Sequence, residues 1–250
     1  MKRILAAGLM LLLFTLPAAA QSLDDLTLIT EEYPPFNFTE DGVHRGIATD
    51  ALIEILAAAG SLKSHKDVAS IPWARGYHIA QNAPNILLYS VTRTEAREKL
   101  FKWVGPIVEA DIMLLQKTSH HLKIDNPEQI NTQKLRVGVV LDDVGEQLLK
   151  EQQVNERQIF PLNKGRYLAQ MLMENRVDLA AYDKMVLFWN LKQLGANPAD
   201  YSSVYTLKKS GYYYALSLDV DDSLVAKLQK ELDRLKSTGR LAAIIKSYMQ

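Results

Sequence analysis

Alternating strand and helix signals assign this chain to the α/β class. Short runs of strand length, apolar or alternating, recur along it. Stretches with a helix-like apolar period follow them, and prolines, glycines and polar residues separate the two kinds. At 250 residues, 48% hydrophobic and 23% charged, the chain can fill one large core or two modest ones.

The elements follow in order. Lys2 and Arg3 precede an apolar run to Leu16, and Ala18, Ala19 and Ala20 form a small-residue site before Gln21. That is the pattern of a secretory signal peptide over residues 1–20, cleaved near Ala20 and Gln21. The apolar run is shorter than the roughly 20 residues a spanning helix needs. Without Lys2 and Arg3, the 29 basic and 29 acidic residues leave a formal charge of −2, which offers nucleic acid no basic face. The absence of cysteine excludes disulfides, thiolate metal sites, a cysteine nucleophile and a lipid-modified N-terminal cysteine. A soluble exported protein, most simply periplasmic, is expected.

Residues 26–30 alternate as a half-buried strand, and Pro34 and Pro35 break the stretch that follows into a loop. Thr49 or Asp50 can cap a helix whose apolar face holds Ala51, Leu52, Ile55, Leu56 and Ala59 before Gly60 ends it. Residues 68–71 read as extended, 73–80 as helix, 86–90 as strand and 94–100 as a short helix. A second unit begins with residues 111–116 and continues through a strand at 135–141, helices at 144–153 and 166–174, and a strand at 177–183. The chain returns through residues 204–207 to a strand at 211–217 and ends in helices at 222–236 and 241–248. The two units are loosely alike, but there is no internal repeat.

One cluster carries chemistry. Ser90 ends a strand, Thr92 sits in the turn, and Arg97 projects from the predicted short helix. Two hydroxyls, a guanidinium fork and the N–H groups of a helix start suit a bound carboxylate. The same spacing fits Thr94 as a helix cap with Arg97 paired on the surface, and spacing does not separate the two. Arg75 and Arg93 add charge nearby; Arg75, two residues after Trp73, fits a cleft mouth or a surface pair. Tyr212, Tyr213 and Tyr214 alternate faces on a strand, as core and edge packing requires. His120 and His121 diverge on extended backbone, and the other histidines lack ligand spacing, so no metal site is expected. No hydrolase elbow, phosphate loop or zincin motif occurs, so no catalytic residue and no cofactor is expected.

The ordered stretches TEEYPPF (30–36), PWARG (72–76), SVTRTEAR (90–97), FKWVGPI (101–107), VDLAAYD (177–183) and TGRLAAII (238–245) carry a resemblance. Together they resemble the family 3 extracellular solute-binding proteins, the polar-amino-acid-binding periplasmic components of ABC transporters, over residues 26–248. The resemblance implies an α/β, two-lobed periplasmic-binding-protein clamshell of type II, each lobe a mixed sheet flanked by helices. Lobe one would be residues 22–110 and 208–250, lobe two residues 111–207, with hinge crossings near 109–115 and 203–210. It also implies a monomer that holds a small polar solute in the cleft and presents it to an ABC permease or a membrane receptor.

By position in those motifs, Arg97 would pair with the solute carboxylate, and Ser90 and Thr92 would donate to it. Tyr33 and Trp73 would form aromatic walls, and Asp183 would receive an ammonium group. The stretch LDDVG at 141–145 departs from the family, whose members place small donors there. Asp142 and Asp143 would repel a carboxylate and favour a cationic, hydroxylated or larger solute. Asp142 is equally suited to capping the helix from Val144. A sensor input domain remains open, as does a lyase in which Glu31, Glu32 or the cleft aspartates supply an acid.

Overall fold

The computed structural model describes residues 21–248; the predicted signal peptide lies outside the described residues. The first part of the chain runs β1 (Thr27–Thr30), β2 (Phe38–Glu40), β3 (Val43–Arg45), α1 (Ile47–Ala58), β4 (Val68–Ser70), α2 (Trp73–Asn82), β5 (Ile86–Thr92) and β6 (Lys102–Val104). Then follow β7 (Glu109–Lys117), α3 (Glu128–Thr132), β8 (Val137–Val140), α4 (Val144–Glu151), β9 (Ile159–Leu162), α5 (Gly165–Met173), β10 (Leu179–Asp183) and α6 (Lys184–Gln193). The chain closes with β11 (Tyr201–Leu216), α7 (Asp222–Ser237) and α8 (Arg240–Tyr248).

Strand pairing divides the molecule into two halves. The nine-stranded sheet has the order β4-β1-β5-β11-β7-β10-β8-β9, with β6 also paired to β11. Strand β1 is parallel to β4 and β5, and β8 is parallel to β9 and β10. The antiparallel pair β7 and β11 joins these two parallel groups. The inner parallel strands β1, β5, β8 and β10 are fully or largely buried because helices cover both faces, so β5 reads ILLYSVT with every residue buried, while the edge strands β4 and β9 are partly exposed. In open sheets of this kind, ligands sit beyond the carboxyl ends of the parallel strands. Here those ends are Thr30, Ser70 and Thr92 in one half, and Val140, Leu162 and Asp183 in the other.

Several expectations need correction. Strand β5 runs on to Thr92, so Ser90 does not end it and Thr92 is not in a turn; His120 ends a 3-10 turn and His121 is in the left-handed region at φ 53°, neither on extended backbone. Residues 95–100 form consecutive turns, not a helix, because the N–H groups of Arg97, Glu98 and Leu100 bond back three residues instead of four. Helix α1 begins at Ile47, ahead of Thr49 and Asp50, and Gly46 at φ 119° occupies the cap; a side chain there would overlap the Phe36 backbone. The stretches at 204–207 and 211–217 are one strand, β11, which absorbs its irregular pattern in two bulges against β7. Finally, Asp143 and not Asp142 caps α4; Asp142 is in the left-handed region at φ 57°.

Candidate functional site

The carboxyl ends of the two parallel groups face each other and touch. Trp73 Nε1 donates to the Asp142 carbonyl at 2.9 Å, and Arg97 Nε donates to Gln147 Oε1 at 3.0 Å. Arg97 Nη2 also reaches the Asp142 carbonyl at 3.4 Å, and Nη1 the Thr92 carbonyl at 3.3 Å. Arg97 is 1% exposed, so the surface ion pair that its spacing also allowed does not form. Thr94 caps the turn as that reading required, with its hydroxyl accepting from the Arg97 N–H at 3.3 Å. What draws the guanidinium inward is ring surface: its carbon lies 5.2 Å from the Trp73 ring centre and 4.9 Å from that of Tyr77, two rings that stack at 5.3 Å.

The other expected residues are placed as follows. Tyr33 is buried; its hydroxyl lies 2.8 Å from that of Tyr212, and its ring stands edge-on to Tyr182 across the interface at 5.5 Å. Ser90 is in the left-handed region at φ 62°, where β5 bulges against β11, and its hydroxyl donates to Asn37 Oδ1. The same Asn37 side chain holds the Glu31 carbonyl at 2.7 Å, tying the ends of β1 and β5 together. Thr92 is buried beside Arg97. The side chains of Arg75 and Asp142 are exposed, and Asp142 meets the opposite half only through its carbonyl.

Asp143 and Asp183 are buried on the second half, and each caps a helix. Asp143 accepts from the Val144 N–H at 2.6 Å; Asp183 accepts from the Val186 N–H at 2.9 Å and the Asp111 N–H at 3.3 Å. Burial pushes both carboxyls above their usual range. Arg97 and the Val144 N–H oppose the shift at Asp143, and the Val186 N–H, the Tyr212 hydroxyl and the Asp111 N–H oppose it at Asp183.

Glu31, Tyr182, Tyr212 and Gln147 complete the interior and were not read from sequence as ligand-binding residues. Burial drives the Glu31 carboxyl well above the carboxylate range, and the negative charges of Asp143 and Glu32 add to it while Arg97 opposes. Among the described residues the buried Tyr182 hydroxyl has no hydrogen-bond partner; burial raises its pKa well above the usual phenol range, and the negative charges of Glu31, Asp143 and Asp183 add to the shift. Position at a strand end is the signal Glu31 and Tyr182 shared with Asp183; Tyr212 lies within β11 and Gln147 within α4, where no such signal marks them. A cavity of about 380 Å3 opens at this interface, lined by Glu31, Glu32 and Ser70 from one half and Asn163 and Lys164 from the other. Among the described residues no group of three or more histidines, aspartates and glutamates could hold a metal ion.

The model of the bacterial extracellular solute-binding proteins, family 3, matches residues 26–250. This chain belongs to that family. Three solved structures share the fold of the family 3 chain, the type II periplasmic binding protein. A histidine kinase sensor domain with similarity to periplasmic binding proteins is 15% identical, at a TM-score of 0.77, over 89% of this chain and 96% of its own. The arginine-, lysine-, histidine-binding protein ArtJ from Geobacillus stearothermophilus is 18% identical, at 0.76, over 90% and 94%. The ancestral amino-acid-binding protein AncCDT-1, a precursor of cyclohexadienyl dehydratase, is 19% identical, at 0.74, over 90% and 95%. None of the curated proteins compared matches the chain.

Proposed function

We propose that this family 3 member is a periplasmic binding protein that captures a small polar solute between two lobes for ABC-type uptake. The solute is an amino acid or related compound bearing a carboxylate and an ammonium group. Lobe one comprises residues 22–110 and 208–250 and lobe two residues 111–207, with β7 and β11 as the crossings about which they close.

One observation carries this reading. Arg97 is buried with no carboxylate within ion-pair distance among the described residues, while Asp143 and Asp183 are buried on the facing wall with no cation at that distance. Buried charges left apart are costly, and a solute with both charges offsets the cost on both walls at once. Its carboxylate takes the Arg97 fork in place of the neutral Gln147 and Asp142 oxygens, and its ammonium goes to Asp183. Trp73 and Tyr33 bound the site, with Ser90 and Thr92 at the strand end beneath. Asp143 fills the α4 terminus with its own carboxylate, so the solute carboxylate has Arg97 and not that helix end as its partner. The exposed side chains of Arg75 and Asp142 stand outside this set.

Calorimetric titration of the full chain with a panel of cationic, neutral, acidic and phosphorylated amino acids tests the reading. Binding of at least one member, lost in Arg97→Ala, is the expected result; affinity unchanged in that variant would overturn it. The sensor-domain neighbour supports a second role for the same captured solute, as input to a membrane receptor. Stimulation of a permease ATPase by the loaded protein separates uptake from signalling. Product formation followed by mass spectrometry would instead place the chain with a lyase.

A further inference from the structure

We propose that the first turn of α5 is a second, anion-binding subsite of the cleft, which seats a carboxylate or phosphate at the far end of the captured solute. The anion site itself stands on its own geometry; its role in solute capture rests on the reading above.

The three helices that follow the parallel strands of the second half differ at their starts. Helix α4 begins at the Asp143 carboxylate and α6 at that of Asp183, so both already hold an anion. Helix α5 begins at Lys164, whose side chain caps nothing. The Tyr167 and Leu168 N–H groups turn back to the Lys164 carbonyl, at 3.1 and 3.2 Å. The N–H groups of Gly165 and Arg166 have no partner among the described residues, and such first-turn groups carry the positive end of the helix dipole.

A second observation points to the same place. The Tyr182 hydroxyl, on a side chain 1% exposed, has no hydrogen-bond partner among the described residues and lies against Gly165; a side chain at that position would overlap it. An orphaned buried hydroxyl calls for a partner, and the nearby Asp143 and Asp183 carboxylates are already engaged as the caps of α4 and α6. Lys164 and Arg166 extend from the same turn, exposed and outside every ion pair among the described residues. The adjoining cavity reaches this turn through Asn163 and Lys164. The acids that face it are held in other ways. Both Glu32 oxygens accept from Thr39, at 2.6 and 3.0 Å, and one also accepts from Ser70 at 3.0 Å. Burial favours the protonated form of Glu31, which donates to an anion instead of repelling it.

The test is titration of the isotopically labelled full chain with inorganic phosphate and, separately, with acetate, following the Gly165 and Arg166 amide resonances and the Arg97 Nε–H. Saturable shifts at both amides are expected, weakened about tenfold in Tyr182→Phe, the factor one charge-assisted hydrogen bond supplies. Lys164→Gln, an exposed change that leaves the core intact, should weaken them severalfold. Response to acetate alone assigns a carboxylate, and response to phosphate alone a phosphate. Amides that do not saturate with either anion, or that saturate with equal affinity in both variants, overturn the subsite. A shift confined to Arg97 Nε–H sinks the subsite and leaves the solute-binding reading intact; shifts confined to the amides support the subsite, while the solute-binding reading stands or falls with Arg97→Ala.

Discussion

The two walls of the cleft are built on opposite electrostatic principles. The first half presents one guanidinium, packed against the stacked rings of Trp73 and Tyr77 and hydrogen-bonded to neutral oxygens. The second half presents carboxylates at the starts of α4 and α6, each partly compensated by helix N–H groups. Drawing Arg97 onto Asp143 would satisfy both, yet the fold holds them beyond ion-pair range. Stability alone does not favour keeping opposite buried charges apart. A bipolar guest does, and each prediction below strips one wall of its character.

The largest effect is expected at Arg97. Two parallel charge-assisted bonds are worth about 3 kcal/mol or more, so Arg97→Ala should weaken solute binding by roughly 100-fold or beyond in calorimetry. The same wall predicts an opposite effect on stability. Arg97→Met replaces a buried cation that has no ion-paired carboxylate with an apolar chain of similar length, so the melting temperature of the solute-free protein should not fall and is expected to rise. A sharp drop in melting temperature would show that the guanidinium serves the fold and not the guest.

Asp183→Asn tests the facing wall and should cost about tenfold to a hundredfold in affinity for an ammonium-bearing solute. The asparagine oxygen can still cap the Val186 N–H, so α6 should start where it does now and circular dichroism should be unchanged.

The acidic wall also sets a pH dependence. Glu31, Asp143 and Asp183 all have carboxyls raised by burial, so between the ordinary carboxylate range and their folded values the native state holds more protons than the unfolded chain. Stability contributed by these groups is therefore present at low pH and lost as pH rises through that window, by about 1.4 kcal/mol for every tenfold difference in proton affinity between the folded and unfolded chain. Thermal melts of the solute-free protein should show this fall, and Glu31→Gln should flatten it. A profile that is identical in wild type and variant would mean Glu31 stays ionised.

Much of this frame was legible in the sequence, and the failures have physical causes. The parallel strands announce themselves because burial on both faces leaves apolar runs such as ILLY, and α7 and α8 because one face is wet. Helix α6, KMVLFWNLKQ, escaped notice because it is apolar nearly all round, with Val186, Leu187 and Leu191 buried and no clean stripe. The β2–β3 hairpin turns on Asp41 and Gly42, both at positive φ, an Asp-Gly turn signal carried by the sequence itself. The site was harder to see. Whether Arg97 lies outside or inside is decided by Trp73 and Tyr77, some twenty residues away, and by Asp142 and Gln147 on the other half. In the pairs Glu31–Glu32 and Asp142–Asp143 one acid is buried and its neighbour turned away, and adjacent like residues give no hint of which is which.

The smallest predicted effect concerns the seam between the walls. Trp73 Nε1 donates to the Asp142 carbonyl across the interface, the same oxygen that receives Arg97 Nη2 and Gln147 Nε2. One neutral hydrogen bond contributes about 1 kcal/mol net, and a carbonyl that keeps two other donors loses little by desolvation. Trp73→Phe keeps a ring face for the guanidinium but removes that donor, so the closed arrangement should lose about fivefold in its balance against the open one. Solute affinity should fall by a similar factor, with the radius of gyration in solution scattering rising for the solute-free variant only. An equal rise in the saturated protein would mean Trp73 organises its own half, and the seam would then rest on Arg97 and Gln147 alone.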